Sequence, residues 1–578
     1  MVYRPLLRWL SRPNIERRLA IAAFVLCLPS LAIGLQADDY DLHAATARGP
    51  LQAYAFDDRD PELARQHVLQ RRDAGLLPWW TYEGHRQRFL RPLASLSLWL
   101  DFRLWPRAPF MLHLHHCVLY AALVWLAGLI YRRCGLSGGA LGLATFFYAV
   151  NGAQSMTVGW ISGRNTLLSA LFGFACWLLH ARSRADGAGG ARLLAAAAAC
   201  ACFALALLSS EGGLAALAYL GAHALLIERA PWRVRALALL PYLAIAGLWL
   251  AHYTSAGYGV VGSGFYHDLA GDPFGFAASL AAALPIYLAS QLTLPYANMA
   301  GLFPGGLWVV AALSLALLVA LSPLFAPALA REPRARFFAL GAALAVVPLS
   351  STLPQDRLVF FIGLGTCGLL GELVERCFDA DGRGRRRTAR TLWRLHGVLA
   401  PVLFVPMLFG CMGAFLGGGA TALERALPRA EQPLVVLVNS PSWLLPHFQA
   451  RMRAYAGQPA SPVVMLYAGG GAVTVTRRDA RSLELHVPRG WLATPIERGL
   501  RDVERFPMRA GEALRLRHVA IEVLDVDPAG APTCVRFTFD RALDDSALTT
   551  FAWLGRAPAP WTPPPIGRSA TLPRVSAM

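Results

Sequence analysis

The sequence predicts an α-helical polytopic membrane protein, with about 11 transmembrane helices, one partial or re-entrant segment and a small, mostly β C-terminal extracytoplasmic domain. Three observations lead there. The 578 residues are 55% hydrophobic and only 16% charged, with mean hydropathy +0.42, a balance that soluble globular chains rarely reach. The apolar residues fall into runs near the length that crosses a bilayer as helix. Beyond residue 417 those runs stop, and short β-like runs replace them.

In chain order, residues 1–18 form a cytoplasmic N-terminus carrying Arg4, Arg8, Arg12, Arg17 and Arg18. The apolar run 19–35 follows and is somewhat long for a signal-peptide core, so it reads as a retained first transmembrane helix. A long polar first loop occupies 36–109. Further apolar runs cover 110–131, 137–152, 163–180, 193–208, 212–227, 235–253, 277–294, 306–328, 337–350, 358–376 and 397–417, completing a membrane domain over 19–417. Arginines cluster at 132–133, 182–192, 229–235, 331–336 and 383–394, and the positive-inside rule assigns all these loops to the cytoplasm. That assignment holds throughout only if 277–294 fails to cross. The run contains Pro285 and lies between Pro273 and Pro295, so it is expected to be broken and re-entrant. The N-terminus is then inside and the C-terminus outside. Residues 430–556 carry LVVLV, PVVMLY, AVTVT, LELHV and CVRFTF, which read as strands, with one amphipathic helix near Pro446–Tyr455. The last stretch, 557–578, is rich in proline and is expected to be disordered.

The formal charge is +18, and every basic residue is arginine. Because those arginines sit in short loops beside apolar runs, they explain topology rather than nucleic-acid binding. The ten cysteines are scattered, and no CxxC or Cys/His zinc spacing occurs, so no metal and no cofactor is expected.

Polar groups near the outer ends of the helices are the candidates for chemistry. Asp38 and Asp39 adjoin each other just after the first helix; adjacent carboxylates repel, which suits one of them to proton abstraction. The first loop holds PWWTYEGHRQRFLRPLASLSLWLDFRLWP, in which Trp79 and Trp80 offer aromatic faces and Arg91 a guanidinium fork. His113 and His116 share a face at the start of the second helix. Trp160 and Arg164 lie in NGAQSMTVGWISGRNTLLSALF, Glu211 lies in LSSEGG, and Asp356 and Arg357 lie in SSTLPQDRLVFF. Arg357 either anchors at lipid headgroups or holds a lipid-linked phosphate. Each of these groups also has a plain structural alternative: a solvated helix exit for the aspartates, an interfacial helix for the tryptophans, an internal ion pair for Asp101.

Taken together, the order of an acidic pair, RPL…LDFRLW, an HLxx helix, VGWISGRNTLLSALF, SSEGG and PQDRLVFF resembles the multispanning GT-C membrane glycosyltransferases. Within them it resembles the bacterial relatives of protein O-mannosyltransferases and of the TPR-bearing O-mannosyltransferases, here without TPR repeats. The resemblance covers roughly 18–370. It implies a GT-C-like fold in a bacterial inner membrane, with the C-terminal domain in the periplasm. It also implies transfer of a sugar from a polyprenyl-phosphate donor to a hydroxyl of a protein or glycan acceptor. Asp39 or its neighbour Asp38 would be the general base. Arg357, helped by Arg164 and Arg91, would hold the donor phosphate. Trp79, Trp80, His113, His116, Trp160, Glu211 and Asp356 would contact substrate. The pattern departs from the family at Asn151, Met156, Thr166, Tyr120 and Ser210, where the family has His, Glu, Asp, His and Lys. Two other classes remain open: a non-catalytic accessory protein of envelope assembly, and a transporter of lipid-linked glycans.

Overall fold

The computed structural model describes all residues except 1–2, 186–188, 294–295, 302–305, 380–382, 411–417, 428–433, 459–461 and 576–578. The chain is mostly helical, with a β-rich C-terminal region. Six helices are long and apolar enough to cross a membrane: Pro109–Arg133, Gly189–Ser209, Trp232–Ser255, Pro273–Leu292, Gly306–Arg331 and Arg386–Leu408. Other apolar runs fold into less apolar or shorter helices, among them Ile15–Cys27, Gly138–Ala149, Arg164–Ser183, Ala215–Leu226, Pro333–Ala345 and Phe360–Asp379. Large apolar side chains stay exposed along several: Leu193 at 73%, Leu248 at 74% and Leu313 at 66%. An exposed apolar surface of that extent needs lipid around it. The chain is a multi-pass membrane protein.

The arginine clusters gather at one end of the bundle. Arg132 pairs with Glu16 at 2.6 Å, Arg184 with Glu228 at 2.6 Å, and Arg334 with Glu372 at 2.5 Å. Arg334 also donates to the Gly135 carbonyl at 2.9 Å, and Arg133 to that of Ala181 at 3.1 Å. Asp38, Asp39, Arg91, Glu211 and the 350–357 turn gather at the other end.

The segment 277–294 differs from expectation in one respect. Helix Pro273–Leu292 is unbroken, with Pro285 inside it. A proline removes one helical hydrogen bond, and here the helix continues on both sides of a buried ring. Its two flanks nevertheless meet one loop. Ser279 donates to the Ser350 carbonyl at 2.6 Å, the Gln355 amide donates to the Tyr287 hydroxyl at 3.0 Å, and Asp356 accepts from the amides of Ala297 and Asn298 at 2.8 and 3.2 Å.

The C-terminal region forms two sheets. One runs, edge to edge, Ala557–Pro560, Leu548–Leu554, Leu434–Ser440, Val463–Ala468. The strands Leu548–Leu554, Leu434–Ser440 and Val463–Ala468 pair in parallel. Leu434–Ser440 is buried throughout, as a continuous apolar run should be in a parallel sheet covered on both faces. Helix Leu444–Tyr455 supplies the crossover to Val463–Ala468. The second sheet is antiparallel, in the order Ser569–Leu572, Val473–Arg477, Ser482–His486, Pro532–Phe539, Val519–Val526, Ala513–Arg515. The tail is therefore not disordered as its composition suggested: Ala557–Pro560 and Ser569–Leu572 are edge strands, where proline costs no ladder bond. Thr476 and Ser569 also share a hydroxyl hydrogen bond at 2.8 Å.

The first loop is tied into this domain. Trp79 and Trp80 are 2% and 0% exposed. Trp79 donates to the Leu466 carbonyl at 2.9 Å and meets Trp491 and Phe537 edge-on. The substrate-stacking role expected of this pair is corrected: both rings are core of the C-terminal domain, with no free face.

Candidate functional site

The site is built on the short helix Asp38–Thr46, which begins at once after the first membrane helix. Its entry is unusual. Ala37 holds φ 46°, in the left-handed region that a side chain disfavours. That turn lets the Gln36 amide donate to Asp39 Oδ2 at 2.9 Å. Asp39 Oδ1 accepts from the Ser162 amide at 2.7 Å and from its hydroxyl at 2.6 Å. Ser162 of the WISGR motif thus holds Asp39 in place. Asp39 is fully buried. Burial raises its pKa to about 7; the Ser162 and Gln36 hydrogen bonds oppose that rise, and the charge of Asp38 adds to it.

Asp38 is half-buried rather than sealed. Burial raises its pKa to about 6, with a further push from Asp41, while Arg357 and His447 pull it down. Arg357 therefore lies within electrostatic reach of Asp38. Its guanidinium carbon sits 5.5 Å from the centre of the Trp160 ring. Its Nε is buried without a hydrogen-bond partner, and Arg357 forms no ion pair among the described residues. A cation with spare donors in that place is a ready seat for an anion.

The crossover helix of the C-terminal domain closes over the same acidic helix. His447 Nε2 donates to Asp41 Oδ2 at 2.8 Å, and His447 Nδ1 donates to the Leu76 carbonyl at 3.0 Å. Arg451 Nε meets Asp41 Oδ1 at 2.7 Å. Burial would raise Asp41, but His447 and Arg451 override it and hold the carboxyl below its usual range. Tyr455 packs edge-on against Tyr40 and His43. Sequence reading missed Gln36, Asp41, Ser162, His447 and Arg451. Asp41 alone had a signal, since it follows Asp38 at a spacing that shares a helical face.

Other expected contacts turn out to be satisfied internally. Arg164 is fully buried. It pairs with Asp101, and donates to the Ser97 hydroxyl at 3.1 Å and the Leu112 carbonyl at 3.1 Å. Asp101 also takes His115 Nδ1 at 2.9 Å. Arg91 meets Glu211 at 2.7 Å, lies 4.1 Å from the centre of the Phe89 ring, and Tyr253 adds a 3.4 Å hydrogen bond to Glu211. Both arginines are thus in ion pairs within the chain, Arg164 with Asp101 and Arg91 with Glu211. Asp356 caps the 297–301 turn and receives the Asn298 side chain on its own amide at 3.0 Å. Burial lifts its pKa to about 7 against those hydrogen bonds. Asn298 also reaches Met156 Sδ at 3.4 Å. His113 Nε2 donates to the Gly34 carbonyl at 2.8 Å, and His116 is fully buried, with the Thr157 and Val158 backbone beside its ring. Trp160 is 3% exposed, its ring facing Arg357.

No protein-family model matches the chain, and no curated protein matches it. Among solved structures it is similar to ArnT from Cupriavidus metallidurans bound to undecaprenyl phosphate, at 13% identity and TM-score 0.38, covering 77% of this chain and 85% of that one. The apo form of ArnT gives 12% identity and TM-score 0.40, over 77% and 84% of the two chains. The archaeal oligosaccharyltransferase AglB from Archaeoglobus fulgidus, in complex with an inhibitory peptide and a dolichol-phosphate, gives 10% identity and TM-score 0.36, over 78% and 64%.

Proposed function

We propose that the protein is a membrane glycosyltransferase that moves a sugar from a polyprenyl-phosphate donor to an acceptor hydroxyl at the outer face of a bacterial inner membrane. The observation that carries this reading is the placement of half-buried Asp38, at the start of helix Asp38–Thr46, within electrostatic reach of Arg357, which forms no ion pair among the described residues. Asp38 serves as base and Arg357 as the phosphate seat. Asp38 removes the proton of the acceptor hydroxyl; the oxygen attacks the anomeric carbon; the bond from that carbon to the phosphate oxygen breaks. The polyprenyl phosphate leaves with the negative charge, which Arg357 stabilises. Asp38 is preferred over Asp39 because it is half-exposed and within the field of Arg357, whereas the Asp39 oxygens hold Ser162 and Gln36. Asp39 then anchors the helix. Trp160 backs the guanidinium.

The charge distribution supports a cytoplasmic N-terminus and a periplasmic C-terminal domain. The ties of both flanks of Pro273–Leu292 to the 350–356 loop support a re-entrant course for that segment.

The test is transfer from a panel of polyprenyl-phosphate sugars, with the protein in lipid nanodiscs and release of polyprenyl phosphate as the readout. Asp38→Asn is expected to lower the rate by about 100- to 10,000-fold, the usual range for a lost general base, with folding intact. Asp39→Asn keeps an acceptor for Ser162 and is expected to lose less. The reverse ranking moves the base to Asp39. No release by the wild type with any donor sinks the enzyme reading in favour of an accessory protein; full activity in both variants sinks the assignment of the base to this acidic pair.

A further inference from the structure

At the opposite end of the bundle, three side chains from separate elements converge. His180 lies in the last turn of Arg164–Ser183, His223 in the last turn of Ala215–Leu226, and Glu228 just beyond it. Each brings one ligating atom, and these atoms all lie within 4.8 Å of one another. They are sealed from solvent: His180 is 2% and His223 6% exposed, and the Glu228 side chain 7%.

Burial of such groups is ordinarily accompanied by hydrogen bonds. Here His180 Nε2, His223 Nδ1 and Glu228 Oε2 have none. Their other polar atoms show the opposite pattern. His180 Nδ1 lies 3.1 Å from the Tyr242 hydroxyl, and Glu228 Oε1 accepts from Arg184 Nε at 2.7 Å. One atom of His180 and one of Glu228 are thus fixed by neighbours while the other lacks a partner, and the His223 ring is held by its edge-on contacts with Trp177 and His180. That is the arrangement metal ligands need: outer contacts set the ring orientation and the tautomer, and leave the inner lone pair free. The two imidazole rings stand nearly perpendicular, at 83° with centroids 5.5 Å apart, so they do not stack. Trp177 meets the His223 ring edge-on at 5.5 Å and supplies an apolar wall. Both histidines also end helices, where the backbone carbonyls favour a cation.

We propose that His180, His223 and Glu228 bind a divalent cation of the zinc class, which clasps the inner ends of the helices that carry them. Two imidazoles and a carboxylate suit zinc and leave a fourth position for water. Tetrahedral ligands at zinc distances stand roughly 3.3 Å apart, so binding draws the three atoms closer than their present 4.8 Å limit. The cation replaces three missing hydrogen bonds at once. The site lies away from Asp38 and Arg357, and it stands or falls independently of the transferase reading. The sequence hid it because the three residues belong to two helices and a loop, with none of the close spacing of a zinc motif.

The experiment is cobalt and zinc titration of the tag-free, full-length protein in detergent after chelator treatment. One equivalent of cobalt should give a visible absorption band that zinc abolishes, and zinc should raise the unfolding temperature. The double variant His180→Ala/His223→Ala should lose the band. His223→Cys keeps a ligand and should add a sulfur-to-cobalt band, which decides the matter even where the double variant fails to fold. Tyr242→Phe should weaken cobalt binding by about 10- to 100-fold, as loss of an orienting contact does. A wild type that gives no saturable band overturns the proposal. So does a band that survives the double substitution, or a folded His223→Cys protein without the sulfur signal.

Discussion

Arg164, the last residue of WISGR, and Arg357, whose guanidinium lies over the Trp160 ring of the same motif, both keep a buried Nε without a hydrogen-bond partner, and they differ in one respect. Arg164 has its charge answered by Asp101, and its terminal nitrogens by Ser97 and Leu112. Arg357 has an aromatic face behind it, a carboxylate at electrostatic range and no ion pair among the described residues. Burying a charge is tolerated when partners surround it. An arginine whose charge is answered within the chain holds the fold together, and one without an ion pair has room for an anion. From residue type and helix position alone the two were equivalent; the difference lies in what surrounds them.

The sharpest way to break this contrast is Arg164→Ala. It leaves Asp101 buried with His115 as its remaining ring partner, and removing one member of a buried pair costs about 3–5 kcal/mol. Chemical unfolding in detergent should show that loss, and the double variant Arg164→Ala/Asp101→Ala should recover part of it. A stable Arg164→Ala protein with weakened lipid-phosphate binding would place Arg164 with the ligand after all.

Arg357→Gln should behave the other way. Stability changes little, because no ion pair is lost. Binding of undecaprenyl phosphate should weaken by about 1.5–3 kcal/mol, the usual worth of a hydrogen bond to a charged group, or roughly 10- to 150-fold by the affinity relation. Native mass spectrometry or a fluorescence titration can read it. Unchanged binding would leave the headgroup-anchor reading of Arg357 standing.

The pH dependence sharpens the same contrast. Asp38 is raised to about 6 in the fold, against about 3.9 in the unfolded chain. The folded state therefore binds the extra proton between those values, and this residue's contribution to stability falls as pH rises through that window. Activity runs in the opposite sense, because the base must be ionised: the rate should rise with a midpoint near 6. Arg357→Gln removes a charge that lowers Asp38 and should move the midpoint upward. Asp41 has the ordinary sign. Held low by His447 and Arg451, it stabilises above the unfolded value and loses that contribution below about pH 4. A flat rate between pH 5 and pH 8 would remove Asp38 as the base.

The membrane class and the β character of the C-terminal region could both be read from residue order. Long apolar runs and clustered arginines act through local composition, which a sequence carries directly. What could not be read depends on distant partners. Trp79 and Trp80 looked like sugar-stacking surfaces because their apolar faces had no visible cover; the cover is Leu466, Trp491 and Phe537. Prolines marked 557–578 as disordered because an edge strand needs its partner to be recognised; Ala557–Pro560 and Ser569–Leu572 close the two sheets. Pro285 suggested a break that helix Pro273–Leu292 does not have.

The smallest effect bears on the junction between the two regions. His447 reaches from the C-terminal domain to Asp41 and to the Leu76 carbonyl, and Arg451 still holds Asp41 when it is gone. His447→Ala should therefore cost only about 1 kcal/mol, near the net worth of ordinary hydrogen bonds. Its informative effect is local. His447 is one of the two groups that lower Asp38, so its loss should shift the rate midpoint upward by less than Arg357→Gln does. Hydrogen exchange should quicken in helix Asp38–Thr46 while Val519–Val526, deep in the second sheet, stays protected. If exchange quickens in both, His447 supports the whole domain. If neither exchange nor the midpoint changes, the C-terminal domain sits over the acidic helix without tuning it, and its function must be sought on its other faces.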